Sequence, residues 1–173
     1  MNLAEMGQVD LTHIDMNLVK KFRDAEEKVA GERGGFALFV LCERDDTPGQ
    51  WDIIASAPWL TTDRAGIAEL VNLLGSEMSF IDWLPIARLV PLLPSDDLVH
   101  ATTALYDTEH QIISLPYTSF GGVRVRQTYL ITANPLLVVT ADAAAEDFTR
   151  NMVNNTPSPS PSLQKPILSE KAA

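Results

Sequence analysis

The stretch FALFVLCE, residues 36–43, constrains the fold more than any other part of the chain, because both of its alternating faces are apolar. One face carries Phe36, Leu38, Val40 and Cys42, and the other carries Ala37, Phe39 and Leu41. A strand of this kind has to be covered on both sides, which is typical of a central strand in a layered domain. The pattern therefore predicts a central strand with further layers packed on both faces of its sheet.

A turn and a second strand follow directly. Residues 44–50, RDDTPGQ, are rich in turn formers, and residues 51–57, WDIIASA, place Trp51, Ile53, Ala55 and Ala57 on one face. Two strands joined by a short turn predict an antiparallel hairpin. The carboxylates of Asp45 and Asp46 are then expected at a solvated hairpin tip, where they need no catalytic explanation.

Two amphipathic helices are predicted on either side of this hairpin in sequence. The first begins near Thr12, which resembles a capping box with Asp15, and stops at Gly34 and Gly35. Its apolar stripe consists of Ile14, Leu18, Phe22, Ala25 and Val29. The second covers residues 64–78 and is capped by Thr62 or Asp63.

The middle of the chain is interrupted by Pro85, Pro91 and Pro94, which exclude a long helix and permit a short strand over residues 86–90. Ser95 is a suitable cap for a short helix through residue 104. Further strands are predicted over residues 111–117, 123–132 and 136–140, and a closing helix over residues 142–153.

These elements fit one domain over residues 1–153 of the 173-residue chain. We expect an α+β fold, in which a single, mostly antiparallel sheet of about five strands packs against two or three helices. The element order resembles the profilin-like group of small sensor and scaffold domains, such as roadblock and GAF domains. Residues 154–173 alternate serine with proline and bury little, which predicts a disordered C-terminal tail.

Composition excludes several classes of function. The net charge is −10, so the surface is expected to repel nucleic acid and anionic membranes. No apolar run approaches the roughly 20 residues of a membrane span. The N-terminus lacks the basic and apolar regions of a signal peptide, which predicts a cytoplasmic protein. The single cysteine, Cys42, excludes an intramolecular disulfide.

Catalytic signals are weak throughout the chain. Cys42 lies on a predicted buried strand, and the nucleophile-elbow, dinucleotide and P-loop motifs are all missing, so we expect no cofactor. The histidines have no paired spacing of the kind that zinc sites use, and no metal site is predicted. Local acid and imidazole groups do occur at Asp96, Asp97 and His100, and at Asp107, Glu109 and His110.

Four residues are the best candidates for binding. Arg124 and Arg126 share one face of a predicted strand, and two neighbouring guanidinium groups can hold a carboxylate, a phosphate or an acidic protein surface. Trp59 and Trp83 adjoin turn-like sequence on either side of the second helix, where exposed rings would anchor a partner. A polar strand face would equally explain the arginines, and a buried core would equally explain the tryptophans.

The pattern as a whole favours a non-catalytic, cytoplasmic adaptor or regulatory domain that binds another protein or forms a homodimer. Two other hypotheses stay open. One is a small-molecule-sensing module with a pocket on the sheet. The other is a small metal-dependent hydrolase that uses His100 or His110 with neighbouring acids.

Overall fold

The computed structural model describes residues 14–120 and 122–138, and within these residues it contains one mixed six-stranded sheet and four helices. The predicted α+β class is confirmed. The helices are α1 (Met16–Arg33), α2 (Arg64–Gly75), α3 (Phe80–Trp83) and α4 (Asp97–Leu105). The strands are β1 (Leu38–Arg44), β2 (Trp51–Ser56), β3 (Ile86–Leu92), β4 (Ile113–Leu115), β5 (Thr118–Phe120) and β6 (Val123–Ala133).

The sheet has the order β3-β2-β1-β6-β4, with β5 pairing the first residues of β6. β1 is central, as its two apolar faces predict, and every residue from Phe36 to Leu41 is fully buried. β1 and β2 form the predicted antiparallel hairpin, with Glu43 opposite Trp51. The sheet is mostly antiparallel, and the parallel pair β2–β3 makes it mixed.

The parallel pair arises because α2 and α3 carry the chain across the sheet between β2 and β3. β3 continues through Pro91 to Leu92, two residues beyond its predicted end at Val90. Pro91 is compatible with this place because β3 has a neighbouring strand on only one side, so a missing N–H is tolerated.

Two apolar clusters lie on opposite faces of the sheet. The first fills the space beneath α1 and α2 and contains Phe22, Phe39, Trp51, Leu70 and Ile131. The second lies beneath α4, which has only nine residues, and contains Val40, Cys42, Ile54, Val99 and Leu130. β1 therefore contributes to both layers, and the second face has the smaller helical cover.

Aspartate side chains begin three of the helices. Asp15 caps α1, Asp63 caps α2 and Asp96 caps α4, each by accepting a hydrogen bond from a backbone N–H of the first turn. The predicted cap Thr12 lies outside the described residues, and α1 begins at Met16. Ser95 was the wrong choice for α4, because its neighbour Asp96 provides the capping oxygen.

The C-terminal part of the described chain departs from its prediction. The expected strand over residues 136–140 is not formed by its described residues, because a 3-10 turn occupies Pro135–Leu137 and the side chain of Asn134 caps it. The sheet reaches six strands because residues 118–120 pair with β6. The predicted closing helix and tail lie outside the described residues. No described helix has the length and apolar character that a membrane span requires.

Candidate functional site

The short helix α3 has its polarity reversed. Phe80, Ile81 and Leu84 point outward with 81%, 72% and 60% of their surface exposed. Asp82, in contrast, has a side chain only 12% exposed, because it accepts hydrogen bonds from Nζ of Lys21 at 2.9 and 3.1 Å. The Asp82 carboxylate also binds the backbone N–H of Ser79 at 2.8 Å, which fixes the start of the helix. The three exposed side chains are called the α3 patch below.

The α3 patch borders a groove of about 460 Å³. Its apolar lining comes from Ile81 and Leu84, from Leu18 of α1 together with Ile14 just before that helix, and from Trp51 of β2. The polar lining residues Asp15 and Gln50 are exposed at its margin. The sequence places an apolar side chain at every wall, so the groove is suited to an apolar segment with a polar border.

A second pocket lies on the opposite face of the sheet and has a volume of about 170 Å³. Cys42, Asp52 and Arg88 stand in a row on the adjacent strands β1, β2 and β3, because Asp52 pairs with both neighbours in register. The Asp52 carboxylate is buried and accepts hydrogen bonds from Nε of Arg88 at 3.1 Å and, through its second oxygen, from Nη2 of the same guanidinium group. This side-on pair neutralises the buried carboxylate.

Burial makes the Cys42 thiol a poor nucleophile. Desolvation, assisted by the negative charge of Asp52, raises the pKa of Cys42 to about 12. The thiolate is the reactive form of cysteine, so almost none is present at neutral pH. The sequence-based expectation that Cys42 lies inside the sheet is confirmed, since the residue is buried and free.

A third polar group joins α1 to β6 and to the segment that precedes β4. Glu26 is fully buried and binds Nδ1 of His110 at 2.6 Å and the hydroxyl of Thr132 at 2.9 Å. Desolvation raises the pKa of Glu26 above its usual value, although the hydrogen bonds from His110 and Thr132 oppose the shift. His110 adopts φ of 54°, and its backbone N–H donates to Thr132.

Asp96, Glu109 and His110, which belong to the two acid and imidazole groups seen in the sequence, contact different parts of the chain. Asp96 caps α4, and its carbonyl accepts the backbone N–H of His100. Glu109 binds Asn134, while His110 binds Glu26 from a different part of the chain. Within the described residues, no group of three or more histidine, cysteine, aspartate and glutamate side chains is arranged to hold a metal ion.

Trp59 and Trp83 are both half-buried against the first apolar cluster. Trp59 donates from Nε1 to the carbonyl of Gly34 at 2.8 Å, and Trp83 packs edge-on against Phe22 at 5.7 Å. Phe22 and Gly34 are separated by about 18 Å along α1, so the two tryptophans lie near different parts of that helix. Trp83 is adjacent to the groove, since its neighbour Leu84 lines it.

Arg124 and Arg126 are exposed on β6, and the buried Val125 separates them. Among the described residues neither guanidinium group has an ion pair. The arginines are distant in sequence from the α3 patch, and neither lines the groove or the pocket beneath α4. They stay candidate binding residues.

Comparison with known proteins does not assign the chain: no family model, curated protein or solved structure matches it. The residues that sequence reasoning missed are the α3 patch, Glu26, Asp52 and Arg88. Glu26 had a recognisable signal, because it lies four residues after Phe22 and three before Val29 on the buried stripe of α1. Asp52 and Arg88 had no recognisable signal in the sequence, because their contact depends on the parallel register of β2 with β3.

Proposed function

We propose that the protein is a non-catalytic, cytoplasmic protein-interaction module whose groove and α3 patch bind an amphipathic segment of a partner protein. The observation that carries the proposal is the reversed polarity of α3. Phe80 and Ile81 of this one-turn helix and Leu84 directly after it are exposed, while the Asp82 side chain of the same helix is largely covered. A soluble protein rarely exposes adjacent apolar side chains of this size unless another surface covers them.

The charge of the chain indicates the chemistry of that partner. With a net charge of −10, two copies of the chain repel each other, which disfavours a homodimer through this surface. A basic partner is attracted instead, and Asp15 is exposed on the margin of the groove. We therefore expect an amphipathic helix with leucine or phenylalanine on one face and lysine or arginine beside it.

The proposal can be tested with two labelled helical peptides of about 16 residues, long enough to form a helix on binding. Both carry the same leucine and phenylalanine face, and they differ only in lysine against glutamate on its flanks. Fluorescence polarisation should show that the lysine peptide binds about tenfold tighter than the glutamate peptide at low salt. The difference should shrink as ionic strength rises, because salt screens exposed charges.

Substitutions in the α3 patch provide the structural control. The double variant Ile81→Ser and Leu84→Ser should bind the lysine peptide about tenfold more weakly than the wild type, because it lacks the exposed apolar contact. Leu136→Ser is the matched control, because Leu136 is also exposed and apolar but lies outside the groove. Equal losses in both variants would contradict the proposal. A dimer in light scattering that dissociates in the double variant would assign the surface to a second copy instead.

A further inference from the structure

The pocket beneath α4 is lined by apolar side chains and two arginines, none of which belongs to the proposed partner groove. Its floor is the second face of the sheet, and its cover comes from Leu98 of α4 together with Phe120 and Val123 of the β5–β6 hairpin. The walls are mainly aliphatic, with Ile54 and Val90 on neighbouring strands. An apolar enclosure with a few polar groups at one end is the usual form of a small-molecule site.

The polar end of this pocket is rich in guanidinium N–H donors. Arg44 and Arg88 both line it, whereas Asp52 is its single acid. Both oxygens of Asp52 are already engaged by Arg88, which still has further N–H groups to donate. Asp52 and Asp46 balance the two arginine charges, so the pocket attracts a ligand through its remaining N–H donors and not through a net positive charge.

Arg44 adds a donor that lacks an acceptor. One of its terminal nitrogens pairs with Asp46, which is exposed in the β1–β2 turn. Its Nε, however, is buried and has no hydrogen-bond partner among the described residues. A buried N–H without an acceptor is unfavourable and uncommon in folded proteins. An oxygen supplied by a ligand would satisfy it.

The size of the pocket restricts the ligand. A volume of about 170 Å³ is slightly larger than a 150 Å³ cavity known to accept benzene. A compact apolar group of about five or six carbon atoms fits such a volume, and a nucleotide or a long-chain lipid does not.

From these observations we propose that the pocket binds a small monocarboxylate with a short apolar chain. The chain lies against Ile54, Val90 and the side chains of the covering hairpin. The carboxylate accepts hydrogen bonds from Nε of Arg44 and from the free N–H groups of Arg88. This site is independent of the proposed partner groove, which lies on the opposite face of the sheet.

Hexanoate is a suitable probe, and hexanamide is its matched neutral control. Both compounds have the same chain, so a difference between them reports on the carboxylate. Titration followed by two-dimensional NMR should shift the amide signals of Cys42, Ile54 and Val90. We expect hexanoate to bind with a dissociation constant on the order of 1 mM, and hexanamide about tenfold more weakly.

Three variants test the location. Arg44→Met should lower the affinity for hexanoate about tenfold, and it leaves the buried Asp52–Arg88 pair in place. Arg64→Met removes an exposed arginine from α2, on the other face of the sheet, and should leave the affinity unchanged. Val90→Phe fills the pocket and should abolish binding of both compounds, and its NMR spectrum will report whether the fold is retained.

The proposal is overturned if hexanoate and hexanamide bind equally, or if Arg44→Met and Arg64→Met have the same effect. Absence of chemical-shift changes at the pocket residues would also overturn it. None of these outcomes depends on the α3 patch, so failure here leaves the proposed partner groove unaffected. Conversely, the variants of the α3 patch should bind hexanoate normally.

Discussion

At the scale of single residues, Cys42 illustrates how burial controls reactivity. With its pKa raised to about 12, the thiol should react with iodoacetamide at pH 8 about a thousandfold more slowly in the folded protein than in urea. The reason is that both desolvation and the nearby Asp52 disfavour the thiolate. Mass spectrometry of timed samples measures the two rates directly. Comparable rates in the folded and unfolded chain would show that Cys42 is accessible and ionised.

Glu26 provides a second prediction at this scale, and its sign follows from the raised pKa. A carboxyl group with a higher pKa in the folded state binds its proton more tightly there. Its contribution to stability is therefore present below its ordinary pKa, near 4.5, and is lost as pH rises through the folded value. Relative to Glu26→Gln, the wild-type protein should lose free energy of unfolding by at most about 1.4 kcal/mol per pH unit.

Urea unfolding at a series of pH values above 4 measures this difference. His110→Gln is an informative companion, because it removes the imidazole whose hydrogen bond and charge lower the pKa of Glu26. In that variant the loss of stability should extend to higher pH. Parallel stability curves for the wild type and Glu26→Gln would contradict the assignment of the buried carboxyl group.

At the scale of secondary-structure elements, two glycines in α2 should respond to alanine in opposite directions. A β-carbon at Gly66 would collide with the carbonyl oxygen of Thr61, which belongs to the backbone and cannot move aside cheaply. Gly66→Ala should therefore destabilise the protein by about 1–3 kcal/mol. Gly75→Ala meets no atom within 4 Å and replaces glycine by the best helix former, so it should stabilise by up to about 1 kcal/mol.

Thermal unfolding of Gly66→Ala and Gly75→Ala compares their stabilities directly, because both variants add the same methyl group. The cap of the same helix is a further reference: Asp63→Ala removes the 2.9 Å hydrogen bond from the N–H of Gly66 and should also lower the free energy of unfolding. A destabilising Gly75→Ala would contradict the open space that surrounds this end of α2.

Elements also differ in how far the sequence could predict them. The two apolar faces of residues 36–43 correctly indicated a central strand, and the spacing of Phe22 and Val29 correctly indicated α1, because these patterns are local. The partner of β3 was not predictable, since a parallel pairing depends on where α2 and α3 return the chain. The α3 patch escaped notice for a similar reason. From the sequence alone, Phe80 and Ile81 would be predicted as core residues. Their exposure follows from the contact between Lys21 and Asp82, which are far apart in the sequence.

At the scale of the whole molecule, the sheet should be most stable at its centre and least stable at the β5–β6 hairpin. Among the described residues, β1 is hydrogen-bonded on both sides and buried from Leu38 to Glu43, whereas β4 and β5 each have three residues and pair only with β6. Regions with few buried contacts open locally at low free energy. Phe120 and Val123, which cover the pocket beneath α4, belong to this weaker part of the sheet.

Hydrogen exchange followed by mass spectrometry tests this gradient. Amides of residues 38–43 should exchange at least about a hundredfold more slowly than amides of residues 113–120. The hairpin side is then the expected entrance to the pocket, because the floor formed by β1 and β2 belongs to the most stable part of the sheet. Hexanoate should slow exchange in residues 118–125 and leave α3 unchanged, which separates the pocket from the partner groove in one experiment. Uniform exchange across the sheet would argue against the hairpin as the entrance.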